Sequence, residues 1–100
     1  MSTDALATQS LLILNDRDNV AVARTELGAG TKLHLAGGDV LEVMATVPAG
    51  HKIALRPIAK GDSVLKYGQV IGAASTPIGA GEHVHVHNVE MGDSSPTHLV

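Results

Sequence analysis

Ile78-Gly79-Ala80-Gly81-Glu82-His83-Val84-His85-Val86-His87-Asn88 opens as a turn and continues with a period of two. Glycine reaches positive φ at little cost, so Gly-Ala-Gly marks a sharp turn. After it, His83, His85 and His87 alternate with Val84 and Val86. An extended strand would place the three imidazoles on one face and the valines on the other. A lone histidine on a strand is usually a half-exposed polar group that packs and hydrogen-bonds. Three in register gain little from packing and point to an anion, a metal or a substrate. Same-face neighbours lie about 6.5 to 7 Å apart, close enough for two rings to share one ion. The outer pair, about 13 Å apart by the same rise, would share one only on a bent strand.

The same pattern occurs earlier in the chain. Turns at Ala29-Gly30, Ala49-Gly50, Lys60-Gly61 and Ala80-Gly81 follow one another at intervals of twenty, eleven and twenty residues. Leu27-Gly28-Ala29-Gly30 therefore matches Ile58-Ala59-Lys60-Gly61, and Val47-Pro48-Ala49-Gly50 matches Ile78-Gly79-Ala80-Gly81, at one constant offset. His51-Lys52-Ile53-Ala54-Leu55 then corresponds to Glu82 through Val86. Two units are too few for a solenoid, so the repeat predicts a pseudo-symmetric β architecture. The pieces between turns fit short strands and no full helix.

The remaining segments fill in this plan. Met1 to Ser10 has no period and predicts a flexible start. Leu11-Leu12-Ile13-Leu14 and Val20-Ala21-Val22-Ala23 predict buried strands around the loop Asn15-Asp16-Arg17-Asp18-Asn19, where Asp16 and Asn19 serve as caps or turn formers. Thr31–Leu35 and Val40–Met44 form a strand pair joined at Gly37-Gly38. Ser63 to Gly72 is the equivalent pair, with Lys66 and Tyr67 at a turn. Read from the residues alone, Lys66 is a solvated lysine and Tyr67 a capping core aromatic. Met91 to Val100 predicts a flexible tail, leaving 11–90 as one domain.

Composition narrows the function. The 100 residues are 44% hydrophobic with a net charge of −3, and Tyr67 is the only aromatic residue. A core of Val, Ile, Leu and Ala favours sheet over helix. With no basic patch and no stacking platform, nucleic acid is not an expected partner. The absence of cysteine excludes disulfides and thiolate metal sites, no apolar run is long enough to span a bilayer, and the cytoplasm is the simplest compartment.

Several spaced motifs carry a family resemblance over residues 10 to 90. Asp18-Asn19-Val20-Ala21-Val22-Ala23, Pro48-Ala49-Gly50-His51-Lys52-Ile53-Ala54-Leu55, Ile58-Ala59-Lys60-Gly61-Asp62, Lys66-Tyr67-Gly68-Gln69-Val70-Ile71-Gly72 and Gly81 to Asn88 resemble, in order, the small N-terminal domain of the altronate and galactarate dehydratases. The resemblance implies a mainly β, compact SAF-type β-clip domain with short strands and little helix. It implies a sugar-acid hydro-lyase, inactive alone, whose large catalytic subunit or domain completes the active site. It also implies a divalent metal, iron(II) by family habit, acting with that large subunit. His85, His87 and Lys66 take catalytic roles by this resemblance, with His85 and His87 as metal ligands and Glu82 or Asp62 as added oxygen ligands. His83, Asn88, Tyr67, His51 and Lys52 are implied to bind substrate. Val86 stands where the family commonly has threonine, a change on the face away from the histidines. The small subunit of (2R)-sulfolactate sulfo-lyase and a non-catalytic ligand- or partner-binding module are the alternatives, and self-association is left open.

Overall fold

The computed structural model describes residues 4–6, 10–13, 15–35 and 38–90. Ten short strands run in the order β1 (Asp4–Leu6), β2 (Leu11–Leu12), β3 (Val20–Ala23), β4 (Lys32–His34), β5 (Val40–Glu42), β6 (Lys52–Ala54), β7 (Ser63–Lys66), β8 (Gln69–Ala74), β9 (His83–Val84) and β10 (Val89–Glu90). They form three small sheets of order β1-β4-β5, β10-β8-β7 and β2-β3-β6-β9.

The strands are short because turns interrupt them at the spacing the glycines set. Gly30, Gly50, Gly61 and Gly81 all have φ between 85° and 90°. Each is the third residue of a turn closed by the next residue's amide: Thr31 N to Gly28 O, His51 N to Pro48 O, Asp62 N to Ala59 O, and Glu82 N to Gly79 O. A positive φ at that position is what a type II turn requires, and glycine meets it without strain. The repeat read from sequence is thus a repeat in hydrogen bonding. Leu27 bridges Val47 as Ile58 bridges Ile78. Gly30 N donates to Val43 O as Gly61 N does to Ala74 O, and Gly50 N donates to Ala23 O as Gly81 N does to Ala54 O.

Each unit has its own core. Leu27, Leu33, Leu41, Val43 and Val47 pack together with Leu11, Ala21, Ala23 and Ile53. Ile58, Val64, Ala74 and Ile78 pack with Val20, Ala54 and Val84. Alternate residues of a strand face opposite sides, so Leu33 and Leu41 go inward while their strand neighbours stay exposed. The shared sheet β2-β3-β6-β9 joins the halves, since β3 and β6 contribute to both cores.

Asp4–Leu6, inside the start read as flexible, pairs in parallel with Lys32–His34. Two expectations need correction. Of the strand expected over Leu11–Leu14, Leu11–Leu12 is strand and Ile13 is not, with Leu12 and Ile13 exposed, and Leu14 lies outside the described residues. The histidine strand ends at Val84, and His85 to Asn88 form a turn closed by Asn88 N to His85 O at 3.1 Å. Gly38 has φ 94°, as a turn residue there would need, whereas Gly37 and the tail 91–100 lie outside the described residues.

Candidate functional site

The bend after Val84 gathers the histidines instead of lining them along a strand. In the antiparallel β6–β9 pair, Ile53 lies opposite His83 and Lys52 opposite Val84. Continuing that register brings His51 level with His85. The His51 ring stacks on His85 with centroids 4.2 Å apart and on His83 at 5.0 Å, and His83 lies 5.6 Å from His85. His51 Nδ1 and His83 Nε2 share a hydrogen bond of 2.8 Å. His87, on the exposed part of the turn, comes back to within 5.2 Å of the His83 ring.

Asn88 holds this turn. It is 4% exposed. Its Oδ1 accepts from His85 N at 2.9 Å and its Nδ2 donates to His83 O at 2.9 Å. Asn88, a substrate-binding residue by the resemblance, bonds through both its side-chain oxygen and nitrogen to the backbone of His85 and His83.

Beside the cluster, Lys52, Lys66, Ile71, His85, Val86 and Val89 line a shallow pocket of about 230 Å³. Two cations and an imidazole at one pocket suit an anion. Lys66 comes from the β7–β8 hairpin, whose two connecting residues both have positive φ, Tyr67 at 56° and Gly68 at 76°. The Lys66 ammonium lies 5.1 Å from the centre of the Tyr67 ring. Tyr67 is exposed and is not the core aromatic its isolated reading suggests.

The loop before β3 fixes that hairpin from behind. Asp18 Oδ1 accepts from Gly68 N at 2.7 Å, and Asn19 bonds Leu65 N through Oδ1 and Ser63 O through Nδ2. Asn19 thus has the structural role its sequence position suggested. Sequence reading gives Asp18 no role of its own, because nothing local marks a partner far along the chain.

The fold also makes a counterpart of the lysine pocket in the first unit. Ile13, Asn15, Asp16, Asp18, Leu35, Asp39, Leu55 and Arg56 line a cavity of about 400 Å³. The offset that carries Gly50 onto Gly81 carries Leu35 onto Lys66 and Leu55 onto Val86. The first groove carries Asp16, Asp18 and Asp39 with Arg56, whereas the second carries Lys52, Lys66 and His85.

The electrostatics follow from the crowding. Burial, then the neighbouring His51, His87, His85 and Lys52, lower the His83 pKa below its ordinary value. For His85 the causes are desolvation, His51, Lys52 and His87, again downward. Lys52 is lowered by burial and then by Lys66. Both histidines are therefore neutral at pH 7, the form in which imidazole binds metal or accepts a proton.

Among the described residues, His51, His83 and His85 form the group whose ligand nitrogens all lie within 4.8 Å of one another. His87, Glu82 and Asp62 stand outside it. The trio differs from the His85–His87 pair implied by the resemblance, because cross-strand register, which the sequence does not display, supplies His51. Imidazole donors suit iron, zinc and their neighbours. His85 Nδ1 is buried with no partner in the protein, as a nitrogen awaiting a ligand would be. The residues present fit a divalent transition metal.

The chain is a small two-unit β domain with clustered imidazoles beside paired lysines. The family model for the altronate/galactarate dehydratase SAF domain matches residues 9–92, and the chain belongs to that family. It is 44% identical over 82 residues to an altronate dehydratase of Bacillus subtilis, covering 82% of this chain and 16% of that protein. An Escherichia coli altronate dehydratase is 48% identical over 71 residues, 71% of this chain and 14% of the relative. The alpha subunit of a (2R)-sulfolactate sulfo-lyase from Chromohalobacter salexigens is 49% identical over 49 residues, 49% of this chain and 52% of that subunit. The chain thus spans about one-sixth of the length of these dehydratases. No helix among the described residues is long and apolar enough to cross a membrane.

Proposed function

We propose that this chain is the small subunit or N-terminal domain of a hydro-lyase acting on a sugar acid of the altronate or galactarate type. The observation that carries this reading is the convergence of Lys52, Lys66 and His85 on one pocket in a chain of this family. Dehydration of such an acid breaks the C–H bond α to the carboxylate and the C–O bond at the β carbon, releasing water. The two lysines bind the carboxylate and oppose the charge that grows on it as the α proton leaves. His85, which lines the pocket, contacts the acid there, and Tyr67 stands beside Lys66 on the hairpin. His87, exposed on the turn, is the imidazole best able to move a proton for the partner's chemistry. A divalent metal such as iron(II) would supply a Lewis acid for the developing oxyanion. The pocket is too shallow to enclose a polyol acid, so a larger catalytic polypeptide, the counterpart of the remainder of the dehydratase relatives, closes over this face.

The test is co-expression with the neighbouring reading frame and assay of altronate, galactarate and sulfolactate with iron(II). Turnover that requires both chains, and falls on His85→Ala, His87→Ala or Lys66→Ala, is the expected result; unchanged turnover in those variants would remove the histidine face from catalysis. A second reading is the small subunit of a sulfo-lyase, favoured by the match to a relative that is itself a subunit. There sulfite leaves in place of hydroxide, and sulfite release from sulfolactate identifies it.

A further inference from the structure

We infer that this chain by itself binds one divalent first-row transition metal ion through His51, His83 and His85. The argument is geometric and independent of any catalytic partner. His51 just before β6, His83 on β9 and His85 in the turn after it place their ligand nitrogens within 4.8 Å of one another. Metal–nitrogen distances of about 2.0 to 2.1 Å in a tetrahedral site separate ligands by roughly 3.3 Å. To reach it, the 2.8 Å contact between His51 Nδ1 and His83 Nε2 opens by about 0.5 Å, separations of up to 4.8 Å close by up to about 1.5 Å, and the stacked rings, now 12° to 27° from parallel, rotate to aim their nitrogens at one ion.

Two features of the surroundings favour a ligand set over the stacked packing the rings now show. The buried His85 Nδ1 has no partner in the protein. Asn88 fixes the backbone at both His83 and His85, the kind of outer support that holds metal-binding histidines in place. Three imidazoles leave a tetrahedral ion with one open position, the arrangement of catalytic and not of structural sites. His85 belongs both to the trio and to the lysine pocket. An anionic oxygen drawn to Lys52 and Lys66 would therefore sit beside the ion and offset the repulsion those two cations exert on it.

The experiment is titration of the full 100-residue chain, expressed without a histidine tag, with cobalt(II) followed by its visible absorption, and with zinc(II) by calorimetry. One ion per chain and the intense bands of tetrahedral cobalt are expected. His51→Ala and the milder His51→Gln should each weaken binding about tenfold or more, with unfolding curves showing that both variants fold. His87→Ala should leave binding close to the parent's. Failure of the parent to bind, or loss on His87→Ala with retention in both His51 variants, would overturn the assignment. Metal binding without turnover in the reconstituted assay would reject the lyase reading alone; turnover without metal binding by this chain would reject this inference alone.

Discussion

Asp18 and Gly68 are 50 residues apart in the chain, and the Asp18 carboxylate accepts a hydrogen bond from the Gly68 amide at 2.7 Å. The contact ties the loop before β3 to the turn that carries Lys66 and Tyr67. Asp18 is 1% exposed, and its second oxygen has no partner in the protein. Asp18→Ala should cost about 1 to 3 kcal/mol, the usual range for losing a charge-assisted bond to a buried group. Asp18→Asn keeps an acceptor for Gly68 and should cost less. Urea unfolding of the two variants checks the order; equal losses would mean that the charge, and not the acceptor, holds the hairpin.

Gly50 and Gly81 occupy matched turns with the same φ of 85°, yet they should respond differently to alanine. A Cβ at Gly50 meets nothing within 4 Å, whereas one at Gly81 would overlap the Glu42 carbonyl oxygen, with Met44 beside it. Gly81 O also accepts from Met44 N at 2.9 Å, so the second unit's turn is pressed against the first unit's β5. Gly50→Ala should cost about 1 to 2 kcal/mol, the left-handed penalty alone. Gly81→Ala should exceed about 4 kcal/mol or prevent folding. Thermal unfolding side by side decides it, and similar melting temperatures would disprove the close approach.

Much of the fold was legible because glycine turns are local events. The spacing of Gly30, Gly50, Gly61 and Gly81 revealed the repeat without any knowledge of pairing. The site was less legible because it depends on register and on a side chain acting at a distance. Period two in His83 to His87 predicted one extended face, but Asn88 captures His85 N and His83 O and turns the chain after Val84. His51 joins the cluster only through its place opposite the end of β9. Similarly, Lys66 reads as a surface lysine until the hairpin sets it beside Lys52 and His85.

The lowered pKa values of His83 and His85 make stability depend on pH in a defined direction. Below about pH 6.5 the unfolded chain protonates these histidines readily, while the folded chain resists. The unfolded state then binds more protons, so stability is full above that pH and declines as pH falls toward the folded pKa values. With chelator present, the melting temperature should drop between about pH 7.5 and about pH 5.5. His83→Gln should flatten this dependence. A melting temperature that rises on acidification would contradict the crowding of cations around His83.

Tyr67 is the residue whose cost in stability argues for a role in function. A two-residue hairpin connection with positive φ at both positions favours Asn-Gly, and a tyrosine there is strained by about 1 to 2 kcal/mol. Its exposed ring and the Lys66 ammonium 5.1 Å away return about 0.5 to 1 kcal/mol. Tyr67→Asn should therefore leave stability unchanged or raise it by up to about 1 kcal/mol. In the reconstituted complex the same change should lower kcat/KM, because Lys66 loses the ring beside it. Strain retained where a better turn residue exists is expected at sites selected for something other than stability. If Tyr67→Asn instead destabilised the chain and left turnover intact, Tyr67 would be a packing residue and the lysine pocket would have to work without it.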